Sequence, residues 1–503
     1  MAEIITEISR TFKEYLLLPG FTDEIHTVQN VNLKTPISKY HKSTGPKKLL
    51  NIPVVSAAMQ SVSGSELAVE LARKGGAAFI FCSQPIEDQA SMIKKVKAYK
   101  AGFVKSDSNL TPNATLQDAL NLSKRTGHST IAITENGNSN SKLLGILTDK
   151  DFWEFMDDLS KPVSEFFTPM EKLIYGEEGI DLKNATNKLW ENKKECLPII
   201  DKNGNLVSLV FRKDYFDHKS NPDELCDENK RLFVGGALNT FDYVERAKAL
   251  VDVGADCLCL DSSDGWTVWQ KNAALELRKL YGNDILLGAG NIVSKEAFRF
   301  LVEEAKVDFV KVGIGGGSIC ITREQKGIGR GQASAVQEVA NERNKYFEET
   351  GIYVPICSDG GLNSDTDIIM ALAFGADFVM MGKYFAMTAE SPTATITYKG
   401  RMYKPYWGEG SNRARNWQRY KQSDSKGLIF EEGVDAYVPY SGRLADKVNL
   451  TIAKIKSTMC NLGVLNINEL HKKSRIVQVS EMTLVESGTS SVENLDRIVS
   501  TKE

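Results

Sequence analysis

Val307-Asp-Phe-Val-Lys-Val312 is an apolar, strand-like run, and Gly313-Ile-Gly-Gly-Gly-Ser-Ile-Cys320-Ile-Thr-Arg323 follows it directly. The glycines let the backbone bend sharply and present N–H and C=O groups to a ligand or ion. A cysteine at the tip of such a turn has backbone donors, room for close approach of a substrate and partial exposure. Those are the needs of a thiolate nucleophile. The plain alternative is a structural glycine turn with a packed cysteine. It loses weight because the other strand-like runs nearby also end in polar residues.

Working outward, eight such runs occur, at 52–57, 77–81, 232–236, 256–260, 285–289, 309–313, 353–358 and 378–382. Most are near-continuous in apolar residues, as strands buried on both faces of a parallel sheet should be. Between them, segments such as 65–74, 241–253, 268–281, 295–305 and 366–374 carry apolar residues at helical spacing. Gly75, Gly254, Gly282 and Gly375 stand where helix ends are expected. The reading is an α/β protein with a closed (β/α)8 TIM barrel; a doubly wound open sheet is the runner-up.

The composition is that of an ordinary globular chain, with 503 residues, 42% hydrophobic residues, 25% charged residues and a net charge of −3. No basic excess points to nucleic acid. No apolar run is long enough to span a bilayer, and the first residues lack the apolar segment of a signal peptide. Eight scattered cysteines suit a reducing compartment, so a cytoplasmic protein is expected. Cys257 and Cys259 share a strand face, where core packing is the simpler role than metal binding.

A long interruption separates the second and third runs. Within about 102–220, Leu110-Thr-Pro112 and the run at 143–152 are echoed by Phe167-Thr-Pro169 and the run at 206–215. This is an internal repeat, halves about 102–160 and 161–220, inserted in a barrel loop. The barrel would then comprise 1–101 and 221–503. A second unusual stretch, about 398–440, is dense in Tyr, Trp, Arg and Gly, as a lid or binding loop would be.

Barrel enzymes hold their chemistry where the strands end. Here those ends read Asp261-Ser262-Ser263, Gly288-Ala-Gly-Asn291, the Gly/Cys loop, Asp359-Gly360-Gly361 and Gly382-Lys383. The last two suit a phosphate, and Asp261 and Asp359 suit ribose hydroxyls. None of the five histidines lies on these ends, so a hydrolytic step would need another base. The glycines do not fit the G-x-G-x-x-G spacing of a dinucleotide fold.

Together the Gly315–Thr322 loop, the Arg415-Asn-Trp-Gln-Arg419-Tyr420 motif and the repeat insertion resemble the family of inosine-5′-monophosphate (IMP) dehydrogenases. The inserted repeats resemble a pair of CBS modules, with a nucleotide-contact pattern at Gly145, Thr148 and Asp151 and with Phe211 where the second copy would have Ser or Thr. The resemblance implies NAD-dependent oxidation of IMP to xanthosine monophosphate (XMP), with Cys320 as nucleophile on C2 of the purine. Arg419 and Tyr420 would serve the hydrolytic step, and Thr322 and Glu432 a proton relay. IMP would be held by Ser318, Asp359, Gly360, Gly361, Gly382, Lys383, Tyr406, Gly408, Gly410 and Glu432. NAD would meet Asp261, Ser262, Ser263, Trp269, Gly313, Ile314 and Gly315. Potassium (K+) would be bound by carbonyls of Gly315, Gly317 and Cys320, with Glu486, Ser487 and Gly488 from a neighbouring subunit's tail, and a homotetramer is implied. The rivals are a guanosine-5′-monophosphate (GMP) reductase, from which the Arg415–Tyr420 motif and the insertion argue away, and a nucleotide-sensing regulatory protein working through the CBS pair.

Overall fold

A computed structural model of the chain describes residues 2, 4–99, 103–212, 221–414 and 430–486. It divides into two compact units, one of Met1–Met92 with Val234–Glu503, the other Ile93–Phe233.

In the first unit eight parallel strands close into a barrel in chain order. They are β1 (Val54–Ser56), β2 (Ala77–Ile80), β3 (Gly235–Leu238), β4 (Cys257–Leu260), β5 (Leu286–Ile292), β6 (Phe309–Val312), β7 (Ile356–Asp359) and β8 (Phe378–Met381). Large and small residues alternate across the interior. The rings of Phe79 and Phe378 lie 6.0 Å and 5.6 Å from that of Phe309. A Cβ on Gly288 would fall 2.0 Å from the Phe309 ring, and one on Gly235 would fall 2.6 Å from Phe79. These glycines are therefore the space that the three phenylalanines fill. The open-sheet alternative is excluded by the closure of β2 onto β3.

Two strands begin three residues later than the sequence expectation. The third begins at Gly235, because Leu232 and Phe233 are occupied in pairing with Tyr99 and Leu225. The seventh begins at Ile356: Ile352–Tyr353 forms a separate antiparallel pair with Tyr40–His41, and Pro355 lies between the two strands. Outer helices include α1 (Ser65–Arg73), α2 (Val268–Tyr281), α3 (Gln332–Thr350), α4 (Asp365–Ala373) and α5 (Leu444–Asn461). At the start of β8, Asp377 ties the barrel to α3: it accepts from Arg343 and from the Tyr353 hydroxyl, each at 2.7 Å. Arg343 and Asp377 are both buried, and a buried pair of this kind is costly to break from one side, about 3–5 kcal/mol.

The second unit contains two four-stranded sheets of matching plan. In one, Asn109–Leu110, Thr130–Thr134, Leu143–Thr148 and Thr168–Pro169 surround helix Leu116–Thr126. In the other, Phe103–Val104, Gly176–Glu177, Cys196–Ile200 and Leu206–Phe211 surround helix Leu182–Glu191. Both helices start on a side-chain cap, Thr115 on the Asp118 N–H and Asp181 on the Asn184 N–H. Among the described residues no helix is long and apolar enough to cross a membrane.

Candidate active site

The loop after β6 owes its course to two glycines. Gly313 has φ of 142°, and a Cβ there would lie 2.1 Å from the Asp359 carbonyl oxygen, so only glycine lets the loop pass the end of β7. Gly316 accepts from the Gly361 N–H at 2.9 Å. Arg323 closes the loop from behind, donating from Nη2 to the Ile314 carbonyl at 3.1 Å. The segment at 430–434 lies antiparallel to the loop: Ile321 N–H donates to Glu432 O at 3.0 Å and Val434 N–H to Ile319 O at 3.1 Å.

This pairing brings distant residues into one chain of contacts. Cys320 Sγ lies 3.0 Å from Thr322 Oγ1, and Thr322 Oγ1 donates to Glu432 Oε2 at 3.2 Å. The thiol is half-buried, open to a cavity of about 310 Å3.

A charged floor lies below. Lys311, on the same strand face as Phe309, is fully buried; its ammonium contacts Asp261 Oδ1 and lies 3.3 Å from Asp359 Oδ2. Burial opposes its charge, but the Asp359 carboxylate outweighs that and holds Lys311 above the usual lysine range. Asn291 donates to the same Asp359 oxygen at 2.9 Å and to Gly313 O at 2.8 Å.

Of the residues singled out in the sequence, the cavity takes in Asp261, Ser262, Ser263, Gly313, Ile314, Gly315, Gly317, Cys320, Thr322, Asp359, Gly360, Gly382, Tyr406, Gly408, Gly410 and Glu432. Ser318 and Gly361 stand just behind the wall: Ser318 bonds to the Tyr406 hydroxyl, and Gly361 donates to Gly316. Burial pushes the Tyr406 phenol above its ordinary range. Lys383 opens the short helix Lys383–Ala386 beside Lys447 and does not line the cavity. Trp269 is 67% exposed on the first turn of α2. Glu486 ends the helix Glu481–Glu486. Arg419, Tyr420, Ser487 and Gly488 lie outside the described residues.

Asn291, read in the sequence as a polar strand end, also lines the cavity, and three charged lining residues were not singled out: Lys311, Lys326 and Glu409. Lys311 had a signal, a lone charge inside an apolar strand. Glu409 is pushed up to about 7 by burial, with the Gln60 N–H donating to it at 2.6 Å. Nothing in the sequence marks that.

The polar groups of the lining suit a ligand that carries ribose hydroxyls. Asp261 and Asp359 offer carboxylate oxygens at two strand ends, and Asn291 Oδ1 is buried with no partner among the described residues, an acceptor that a ligand donor would complete. For a potassium ion the loop offers carbonyl oxygens, the hard ligands such an ion takes. Among the described residues no cluster of His, Cys, Asp or Glu is arranged for a metal.

In the inserted unit, Gly145 allows close packing of Phe167, whose ring would lie 2.2 Å from a Cβ there. Asp151 accepts from Thr148 N–H at 2.6 Å and from its hydroxyl at 2.9 Å, closing a local turn. The unit's cavity, about 390 Å3, is lined instead by Lys105, Glu178, Ser208 and Lys230 among others.

The family model described as IMP dehydrogenase / GMP reductase domain matches residues 9–490. An inosine-5′-monophosphate dehydrogenase of Tritrichomonas foetus is 51% identical over 498 residues, covering 99% of each chain. One from Aquifex aeolicus (strain VF5) is 36% identical over 491 residues, covering 95% of each. Among solved structures, a cysteine-to-alanine variant of GMP reductase from Trypanosoma brucei, in complex with guanosine 5′-monophosphate, superposes with a TM-score of 0.77 at 28% identity, covering 97% of this chain and 98% of that one. Coverage so complete includes the inserted unit, so the insertion does not separate dehydrogenase from reductase.

Proposed function

The chain belongs to the IMP dehydrogenase / GMP reductase family, and we propose that it is an NAD-dependent enzyme oxidising IMP to XMP through a covalent bond between Cys320 and C2 of the purine. The observation that carries the covalent step is the hydrogen-bonded run from Cys320 through Thr322 to Glu432 at the cavity wall. Along it the thiol proton passes to Thr322 Oγ1 while the Thr322 proton passes to Glu432 Oε2. The thiolate so formed adds to C2. NAD supplies the acceptor for the hydride that leaves that carbon. The purine is then a thioimidate on Cys320. Water, giving a proton to Arg419 in this reading, adds to C2; the C–S bond breaks with its electron pair on sulfur, which regains its proton from Glu432 through Thr322, and XMP leaves the thiol free.

Arg419 and Tyr420 serve the hydrolytic half of the cycle in this reading. Asp359, Gly360, Gly361, Gly382 and Ser318 hold the phosphate and ribose of IMP, with Tyr406 behind them, and Lys383 adds charge at the phosphate end. Gly408, Gly410 and Glu432 meet the base. Asp261, Ser262 and Ser263 hold the nicotinamide ribose, and Ser262 is braced by Gln270 Nε2 at 2.7 Å. Trp269 is free to stack on the adenine. Carbonyls of Gly315, Gly317 and Cys320 bind potassium, completed by Glu486, Ser487 and Gly488 of a neighbouring copy in a cytoplasmic homotetramer. The barrel is the catalytic domain and 102–220 a CBS pair.

A reductase reading is favoured by one observation, the full-length superposition on a GMP reductase. The 51% identity to a dehydrogenase weighs more. The deciding experiment uses Arg419→Ala. With IMP and NAD it should give a burst of NADH, then hydrolysis slower by about 10²–10⁴-fold, the scale of a lost general base. Mass spectrometry should find the purine on Cys320. Turnover of GMP with NADPH, and none of IMP with NAD, would reverse the assignment.

A further inference from the structure

Glu432 is gripped from one helical turn. Thr322–Lys326 is a single turn that begins two residues after Cys320. Residues four apart share a helix face, so Thr322 and Lys326 point the same way. Both meet Glu432: Thr322 Oγ1 donates to Oε2 at 3.2 Å, and Lys326 Nζ lies 2.5 Å from Oε1. The ammonium also sits 5.7 Å from the ring centroid of Phe430, within cation–π range. The amine is therefore held from two sides, and both Lys326 and Phe430 line the cavity that holds Cys320.

We propose that Lys326 is a positioning residue for the reaction, pinning one oxygen of Glu432 so that the other is the fixed terminus of the Cys320–Thr322–Glu432 chain. The proposal rests on the reading of Cys320 as nucleophile. A glutamate side chain has three rotatable torsions and two equivalent oxygens. With Oε1 held by the ammonium, Oε2 is the oxygen turned to Thr322. The Thr322 hydroxyl has one hydrogen, which this contact commits to Glu432. Its lone pairs then face the Cys320 thiol as acceptors. Lys326 thus sets the direction in which the chain can carry a proton, away from sulfur. It touches neither sulfur nor purine in doing so. Backbone pairing places the wall segment that carries Glu432, which sets where the carboxylate starts but not where it points.

The test is a cycle of Lys326→Met, Glu432→Gln and the double variant, measured by rapid-quench hydride transfer, with melting temperature recorded for each. Lys326→Met should slow formation of the covalent intermediate by about 10–10²-fold, the cost of a displaced catalytic group. Lys326→Arg, which keeps charge and reach, should recover most of the rate. In the Glu432→Gln background Lys326→Met should add nothing, because residues acting as a unit are not additive. A purely structural lysine would give multiplying losses and a fall in melting temperature. Multiplying losses overturn the proposal while leaving the Cys320 reading intact. So does an equal loss in Lys326→Met and Lys326→Arg with unchanged melting. If Cys320→Ala itself turns over IMP, the reaction reading falls first, and the role of Lys326 with it.

Discussion

Replacing Lys311 with methionine removes the one ammonium among the described residues that joins Asp261 to Asp359. At 3.3 Å and an effective dielectric of about 20, the attraction to Asp359 is ~5 kcal/mol before desolvation. Breaking a buried pair from one side costs a net ~3–5 kcal/mol. Asn291 still donates to Asp359 at 2.9 Å, so the lower end, ~3 kcal/mol, is expected. The melting temperature should fall by several degrees. The larger consequence is at Asp261, which is 8% exposed and loses its counter-charge. Its oxygens are then no longer held in place by the ammonium as charged acceptors. A hydrogen bond to a charged group contributes about 1.5–3 kcal/mol, so the KM for NAD should rise about 10- to 150-fold. The KM for IMP should rise less, because Asn291 supports Asp359. Lys311→Arg should retain most of the NAD affinity if the barrel admits the larger group. Initial rates over a range of NAD, with calorimetric binding of IMP, make the comparison. Unchanged KM for NAD and unchanged melting in Lys311→Met would refute the view that Lys311 organises the carboxylates.

Three further expectations follow from the geometry. Gly313→Ala places a Cβ against the Asp359 carbonyl at a φ of 142°; activity should fall at least about 10²-fold with the circular dichroism spectrum unchanged. Glu409→Gln should alter how stability depends on pH: with Glu409 raised to about 7 from 4.5, the native state loses stability as pH climbs from 4.5 past 7, by up to about 3 kcal/mol, and the glutamine variant should lose less, read as melting temperature from pH 5 to 8. Replacing 103–220 by a short linker should leave activity with IMP and NAD, since Tyr99 and Leu232 are already joined by a hydrogen bond of 3.2 Å; an insoluble product would show that the inserted unit supports the barrel.

The barrel was legible because its strands are buried on both faces and so read as unbroken apolar runs. The exceptions have local causes. Strand three was misplaced by two or three residues because Leu232 and Phe233 are as apolar as a barrel strand but serve the neck of the insertion. Asp261 and Asp359 could be named because each stands at a strand end beside glycine or serine, and Cys320 because it sits in the glycine loop that follows a strand. Lys311 could not, because its meaning depends on two carboxylates 50 and 48 positions away. Lys326 likewise looks like an ordinary lysine of a short exposed helix until Glu432, 106 positions on, is laid beside it by strand pairing.

The same lysines answer a problem that the list of site residues raises. Asp261, Asp359, Glu409 and Glu432 all line one cavity, and its proposed occupants carry phosphates. Four carboxylates facing a nucleotide would repel it. Each is offset in its own way. Lys311 lies between the two aspartates, so one buried charge serves both. Lys326 covers Glu432 from the helix side. Glu409 has no cation beside it among the described residues, and burial instead keeps it near the point of half-protonation at neutral pH. Counting the three paired acids as carboxylates and Glu409 as half-charged leaves the cavity with a net charge of only about −1 to −2. The carboxylates thereby stay available as hydrogen-bond acceptors for ribose and for the proton relay, without the field that would exclude the substrate. Removing either lysine should therefore weaken nucleotide binding more at low ionic strength than at high, where salt screens what the lysine no longer offsets.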